Sequence, residues 1–364
     1  YVVDTKNQDE IPLLSIYNAS TFNLINQFEI GLGVKKMVYK NGKIFVLSEN
    51  GIIDIIDGTN DVLDQSLSIG GLNSSDILSI QGNNLITASF GAIDKVSSFN
   101  LQNYIRSDLN ISTGTPTKLI SGKSGYAYLN SGTSSTGNYI NYLQIPNTVV
   151  WSQERDDSEL LLYSPSDTTV FTQIGNKIVK INGNSGEHLS NFPLQNHTII
   201  DAIYYPKNDL LILLLKSTGY EHFLLGINAS DFSINTNIKQ IPTGVYNGLF
   251  LNELNDRLYI QLLVAGSDYK TKILAYDPIS FQQTGVVDLG PKRSLTDRNT
   301  VVSWPEKIAI SLNTATNQLI IPNWAYSNFS VVQCPEEERT FRKGWNWVSF
   351  PKLERTNDNP VDLA

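Results

Sequence analysis

Alternating apolar and polar residues recur along the chain in short runs, and each run ends at an Asn or Asp that precedes a turn. Clear copies of this pattern lie at residues 14–18, 53–57, 96–100, 178–182, 224–228 and 274–277. They recur about every 43 residues if one degenerate copy lies in the long interval between the third and the fourth. Because self-similarity at a fixed period is the signature of a repeat protein, we expect one structural unit per period.

A second pattern lies between these copies and consists of two strand-like runs joined by a short turn. The turns are rich in residues that accept a positive φ angle, such as Asn41-Gly42, and these residues close tight hairpins. Seven hairpins can be counted, the first at residues 34–47 and the last at residues 307–322. No long segment combines helical spacing of apolar residues with helix caps, so we expect very little helix.

Four strands in about 43 residues, repeated seven times, predict an all-β fold. The architecture that we expect is a β-propeller with seven blades of four antiparallel strands. Each four-stranded unit has two apolar faces that only neighbouring units can cover, and a closed ring leaves short outer edges exposed. An N-terminal strand could complete the last blade. Eight blades are the alternative, if the two terminal fragments form separate blades.

Two neighbouring segments carry a resemblance to a known family. The segment ILAYDP at residues 273–278, followed by GVVDLG at residues 285–290, resembles the repeat of bacterial YVTN-like propellers of the surface-layer type. In that repeat a strand ending in Asp is followed by a turn and by a strand that closes on Gly. Residues 15–31 resemble it too. The resemblance covers residues 1–334 and implies a β-propeller in a secreted or surface protein.

The composition changes after Cys334, where the charged residues EEER at 336–339 indicate a linker. The phrase GWNWVSFP at 344–351 then looks like the opening of a β-domain in large secreted or surface proteins of Bacteroidota-like bacteria. We therefore assign residues 1–334 to the propeller and residues 335–364 to a linker and the start of a C-terminal β-segment. This segment is too short to bury a core, so it either packs on the propeller or is truncated. We favour truncation, which makes the chain part of a longer polypeptide.

Composition and charge exclude several classes of partner. The chain has 364 residues and a formal net charge of −8, without a basic tract, so we expect no nucleic-acid partner. No apolar stretch reaches the ~18–20 residues of a membrane helix, so we expect no membrane span. One cysteine cannot form an internal disulfide or a four-cysteine zinc site.

A search for catalytic and metal-binding motifs predicts none. The three histidines, His188, His197 and His222, lack the spacing of zinc motifs, and we expect them in turns or on the surface. The acidic segment 154–157 could bind calcium or supply an acid–base pair, but we interpret it as a solvated loop. Residues 57–61 resemble the start of a calcium loop without its downstream Glu. We therefore expect no catalytic residue, no metal and no cofactor.

A binding role is better supported by the sequence. In a propeller, the loops that join second to third strands and the loops between blades lie together around the axis. The residues that we assign to a ligand site in such loops are Tyr220, Asp268, Tyr269, Arg293, Trp304, Trp324 and Tyr326. The longer loops 131–138 and 292–304 are expected beside them. Aromatic side chains next to polar groups suit a sugar or a peptide, and Arg293 could bind a carboxylate.

These observations favour a non-enzymatic, extracytoplasmic β-propeller, whether secreted, on the cell surface or periplasmic. We expect it to act as a protein-interaction scaffold in a bacterial surface or secretion-associated protein, with its partner on the loop face. The alternative is a glycan-binding module or a carbohydrate-active enzyme that uses the same face. That alternative predicts an aromatic cleft with two carboxylates within reach of each other.

Overall fold

The computed structural model divides into two compact units, unit 1 at Tyr1–Pro193 and unit 2 at Leu194–Ala364. The structure describes residues 2–4, 13–18, 21, 23–31, 33–70, 73–90, 95–112, 114–123, 125–133, 137–146, 148–155, 160–264, 270–291, 310–313, 316–323 and 328–333.

Unit 1 consists of antiparallel sheets whose strands pair in chain order. The first sheet has three strands, β1–β3 (Val2–Asp4, Leu13–Tyr17, Leu24–Glu29). Four-stranded sheets follow, namely β4–β7 (Val34–Lys40, Lys43–Ser48, Ile52–Asp57, Val62–Ser68), β8–β11 (Asn73–Gln81, Asn84–Phe90, Lys95–Asn100, Arg106–Asn110), β12–β15 (Thr115–Ser121, Tyr126–Thr133, Gly137–Gln144, Thr148–Arg155) and β16–β19 (Leu161–Ser164, Thr169–Ile174, Lys177–Asn182, His188–Pro193).

Unit 2 continues the same pattern. Its sheets are β20–β23 (His197–Tyr205, Leu210–Ser217, His222–Asn228, Ile234–Ile241), β24–β27 (Val245–Asn252, Arg257–Val264, Lys270–Tyr276, Gln283–Pro291) and β28–β30 (Ser311–Asn313, Gln318–Asn323, Asn328–Gln333). A single turn of 3₁₀ helix, Pro206–Asn208, joins β20 to β21. Within the described ranges, no helix is long and apolar enough to cross a membrane.

All seven predicted hairpins are present, each as the first two strands of a sheet: β4–β5, β8–β9, β12–β13, β16–β17, β20–β21, β24–β25 and β28–β29. Their turns use the left-handed backbone region, with φ of 52° at Asn41, 50° at Asp209 and 50° at Asp256. Asn and Asp adopt this region more readily than other side chains do, which explains their positions.

The predicted all-β propeller of four-stranded antiparallel blades is therefore confirmed, with seven blades that each begin with a hairpin. The last of them, β28–β30, has three described strands. The strands β1–β3 form a further three-stranded sheet ahead of the first hairpin. Residues 335–364 lie outside the described residues, so the predicted domain boundary stays a prediction.

The prediction of a long loop at residues 131–138 is wrong. β13 continues to Thr133 and β14 begins at Gly137, with Ser131 paired to Tyr139 and Gly132 paired to Asn138. The small polar residues of this segment resemble a loop in composition, but Ser131 is fully buried in the ladder. Buried polar side chains in a strand therefore gave the same sequence signal as a surface loop.

The core lies where the middle strands of consecutive sheets meet. In unit 2, Leu214 and Leu224 of one sheet share a single apolar cluster with Leu258 and Leu274 of the next. Fourth strands such as β7 and β19 alternate between exposed and half-buried residues. A blade thus has covered inner strands and an exposed outer edge, and it depends on its neighbour for its core.

Candidate functional site

One of the predicted site residues, Tyr220, lies in the part of the chain that the structure describes. It occupies the turn 218–221 between β21 and β22, which are the second and third strands of their sheet, as the sequence predicts. Its binding role stays a prediction. The remaining predicted site residues lie outside the described residues: Asp268, Tyr269, Arg293, Trp304, Trp324 and Tyr326. The candidate site is therefore built from the Tyr220 turn.

Hydrogen bonds to Ser217 fix the backbone of this turn. The Tyr220 amide donates to the Ser217 carbonyl oxygen (3.1 Å), and the Ser217 amide donates to the Glu221 carbonyl oxygen (2.9 Å). The Glu221 amide also donates to the Ser217 hydroxyl (3.2 Å). Tyr220 has a φ of 66°, and 69% of its surface is exposed. The turn therefore holds a large aromatic ring in the solvent on a fixed backbone.

Charged and polar side chains lie in the Tyr220 turn and on the strands next to it. The Lys216 ammonium lies 4.4 Å from the ring centroid, which is within the range of a cation–π contact. On the neighbouring strand β23, the Gln240 amide donates to the Glu221 carboxylate (3.3 Å). An exposed aromatic ring in contact with an ammonium group, in a turn that also carries a carboxylate, can stack on a ligand while the turn hydrogen-bonds to it.

A buried histidine lies directly after this turn. His222 pairs with Lys216 on one side and with Ile241 on the other, and only 5% of its surface is exposed. Its ring lies 4.7 Å from the ring of Tyr246, and its Nδ1 atom has no hydrogen-bond partner. Burial, with a smaller contribution from the charge of Lys216, lowers the pKa of His222 below its ordinary value. Burial of this side chain therefore favours its neutral form.

The expectation that the histidines lie in turns or on the surface is wrong for His222. His188 is exposed at the start of β19, as expected. His197 begins β20, where its Nδ1 lies 3.2 Å from the Leu194 carbonyl oxygen and its ring meets Phe223 edge-on. The strand pattern around His222, with Leu224 buried two residues later, is the sequence signal that could have indicated an inward side chain.

The described residues of the two acidic segments considered as calcium sites are part of the blades, and residues 156–157 lie outside the described residues. Asp57 accepts hydrogen bonds from the Thr59 amide (2.8 Å) and from the Asn60 side chain (2.7 Å), and these bonds lower its pKa, that from the Thr59 backbone most. Glu154 lies within β15, opposite Tyr139, and not in a loop. Among the described residues, no three His, Cys, Asp or Glu side chains form a group that could hold a metal ion.

The chain resembles solved structures over most of its length. The dihydro-heme d1 dehydrogenase NirN has a TM-score of 0.66 and 11% identity, with 91% of this chain and 69% of that chain covered. Sqt1 of Saccharomyces cerevisiae has a TM-score of 0.65 and 11% identity, with 90% and 91% covered. The computationally designed protein Ika8 has a TM-score of 0.60 and 8% identity, with 90% and 94% covered.

At these identities the likeness concerns the fold alone, and it supports the β-propeller. No protein-family model matches the chain, and no curated protein sequence matches it either.

Proposed function

We propose that the protein is a non-enzymatic binding module, a protein-interaction scaffold whose partner contacts the Tyr220 turn. The observation that carries this proposal is the Tyr220 ring, which is largely exposed on a backbone fixed by hydrogen bonds. Exposed tyrosines supply large contact areas at low cost in side-chain entropy and are enriched among the residues that dominate interface energy. A fixed turn also avoids the entropy loss of ordering a loop on binding.

The charges around the ring indicate what the partner carries. The Lys216 ammonium contacts the Tyr220 ring, and the next residue in the chain, Glu221, carries a carboxylate, so the turn offers both signs of charge. A peptide segment with an apolar residue between groups of mixed charge is complementary to this arrangement.

The cellular setting belongs to the same proposal. We place the protein outside the cytoplasm, in a bacterial surface or secretion-associated protein, because the segments 273–278 and 285–290 resemble the YVTN-like repeat. The full-length gene tests this placement. An export signal at the start of the complete protein supports it, and a complete protein without any export route contradicts it.

A glycan ligand is the second candidate, favoured by the Tyr220 ring and the polar Glu221–Gln240 pair beside it. Sugars stack on aromatic faces while their hydroxyl groups bind to neighbouring amides and carboxylates. The two candidates use the same turn and therefore differ only in the ligand that binds there.

The test is a selection from a phage-displayed random peptide library on the immobilised protein, in parallel with a glycan array. The proposal expects enriched peptides that bind the wild-type protein and are not captured by the Tyr220→Ala variant. Tyr39→Ala is the matched control, because Tyr39 is 67% exposed in β4 but lies in an ordinary strand pair with Ile44. Peptides captured equally by both variants contradict the proposal. Array glycans that bind through Tyr220, with no such peptides, support the glycan candidate instead.

A further inference from the structure

We propose that the buried imidazole of His222 is a pH-sensitive latch on the Tyr220 turn. In the neutral form the ring packs on Tyr246 and keeps the turn closed, and protonation releases the turn. The inference concerns the site of the proposed function and rests on that function for what the latch regulates. The local opening itself is a property of the fold.

The position of His222 next to the turn explains why protonation of its ring would act on the turn. His222 is the first residue of β22 and follows Glu221 directly, so it can leave the core when the turn lifts, without unpairing the rest of the strand. Its ladder partner Lys216 is also the residue whose ammonium lies over the Tyr220 ring. A positive charge on His222 therefore repels the side chain that supports Tyr220.

The surroundings of His222 offer little compensation for a buried charge. Its Nδ1 has no hydrogen-bond partner, so no acceptor is in place for a second N–H. The titratable and charged groups on the elements around it, among the described residues, are Lys216 on β21, Glu221 in the turn, Lys239 on β23, Tyr246 on β24 and, behind Tyr246, Tyr276 on β26.

Most of these groups cannot stabilise an imidazolium ion. Lys216 and Lys239 carry the same charge as the protonated ring. The hydroxyl of Tyr246 donates to the Pro242 carbonyl oxygen, so it is already engaged. The Glu221 carboxylate is held by Gln240 in the turn. Protonation in the closed state is therefore costly, and opening the turn relieves that cost.

The direction of the pH effect follows from linkage. Burial lowers the pKa of His222 in the closed state, whereas an opened turn returns it to an ordinary value of about 6.5. The open state therefore binds more protons, and opening becomes more favourable as the pH falls below about 6.5. Between pH 7.5 and pH 5.5 the opening equilibrium therefore rises, by at most about tenfold.

Hydrogen exchange of the backbone amides at residues 217–222 tests the latch in the full chain, after correction for the intrinsic pH dependence of exchange. The wild-type protein is expected to open more at pH 5.5 than at pH 7.5, by more than about twofold and at most about tenfold. His222→Phe, which keeps a ring against Tyr246 and cannot be protonated, is expected to change by less than about twofold. His188→Gln, which alters an exposed histidine, is expected to behave like the wild type.

An equal rise in the wild type and in His222→Phe overturns the latch. Should His222→Phe fail to fold, His222→Gln replaces it with the same expectation, and an NMR titration of the wild-type ring shows directly whether His222 takes up its proton together with the opening. Exchange does not depend on a ligand. If the turn opens at low pH but no peptide binds at Tyr220 at any pH, the proposed function is overturned and the latch is supported. If a peptide binds at Tyr220 but the turn does not open at low pH, the latch is overturned and the proposed function is supported.

Discussion

The two units differ in the type of side chain that they place at one repeated position of the sheets. The position is found in the four-stranded sheets, and we call it the inner pair. Its first member is the third-strand residue three places before the polar residue that ends or follows that strand, and its second member is the neighbouring residue on the fourth strand. In three four-stranded sheets of unit 1 the inner pair is hydrogen-bonded: Asp54–Ser66 (2.5 Å), Ser97–Asp108 (2.8 Å) and Asn141–Ser152 (2.7 Å). Ser15–Gln27 (2.7 Å) is a similar pair between the last two strands of the three-stranded sheet β1–β3. In the two four-stranded sheets of unit 2 the third-strand residue is a leucine, Leu225 or Leu274.

The difference shows that the repeat determines which position is buried but not whether the residue there is polar or apolar. The third-strand members are buried in both units, Ser97 as fully as Leu274. A polar pair stabilises the blade only while both partners are present, because an orphaned buried group costs about 1–3 kcal/mol. A leucine stabilises it through apolar contacts, which fail when its volume is lost. The last sheet of unit 1, with Val179 opposite Asn191, already has the apolar form.

The largest expected effect is at the apolar position of unit 2. Leu274→Ala leaves a cavity in the cluster shared by two sheets and is expected to lower the free energy of unfolding by about 3 kcal/mol. Urea denaturation measures this loss. Leu254→Ala is the control, because Leu254 is 57% exposed, and its expected cost is below about 0.5 kcal/mol. If Leu274→Ala lowers the free energy of unfolding no more than Leu254→Ala does, apolar contacts do not stabilise this position in unit 2.

A smaller loss is expected at the polar position of unit 1. Asp54 accepts hydrogen bonds from the Ser66 hydroxyl and from the Gly31 amide (2.9 Å), so Asp54→Ala leaves two donors unpaired. The expected cost is about 2 kcal/mol in the same urea experiment. Asp54→Asn keeps one acceptor oxygen, and about half the cost is expected. Equal losses for the two variants would show that the hydrogen bonds are not what stabilises this pair.

The smallest expected effects concern the pH dependence of folding stability, which differs between Asp108 in unit 1 and His222 in unit 2. Burial raises the pKa of Asp108, but hydrogen bonds from Arg106 and Ser97 outweigh it and hold that pKa below its usual range. The stabilisation from Asp108 is therefore present above about pH 4 and is lost as the pH falls through the lowered value. His222 becomes positively charged when it is protonated, and burial lowers its pKa in the folded protein. The stability that comes from its neutral, buried ring is therefore lost at a higher pH than that of Asp108, as the pH falls below about 6.5.

Urea midpoints between pH 7.5 and pH 3 measure both effects. Asp108→Asn is expected to flatten the curve only below about pH 4, and His222→Phe only between pH 7.5 and pH 5.5. A change in the upper range on replacing Asp108 would contradict the assignment of the two pH ranges to these two groups.

The sequence predicted the hairpins because their turns have local requirements. Asn41 and Asp209 adopt positive φ angles that few other side chains accept, and such residues can be recognised without knowing the fold. The segment at Ser131 could not be recognised in this way. Its polar residues are buried by pairing between strands, and that pairing depends on the register.

The candidate site was only partly predictable for the same reason. The place of Tyr220 in a second-to-third-strand turn follows from the repeat, whereas the contact with Lys216 and the burial of His222 depend on the pairing of β21 with β22. The inner pairs Asp54–Ser66 and Asn141–Ser152 likewise join a third strand to a fourth in ladders that contain a register shift. Alternation along one strand does not indicate which residue of the next strand lies opposite.

The most direct test of the proposed binding site is the dissociation constant of one selected peptide for three proteins: the wild type, Tyr220→Ala in unit 2 and Tyr39→Ala in unit 1. Loss of an aromatic residue that dominates an interface raises the dissociation constant about tenfold or more, and that rise is expected for Tyr220→Ala. A change of less than about twofold is expected for Tyr39→Ala, whose ring is equally exposed. Equal dissociation constants for the wild type and Tyr220→Ala would contradict the assignment of the binding site to this turn.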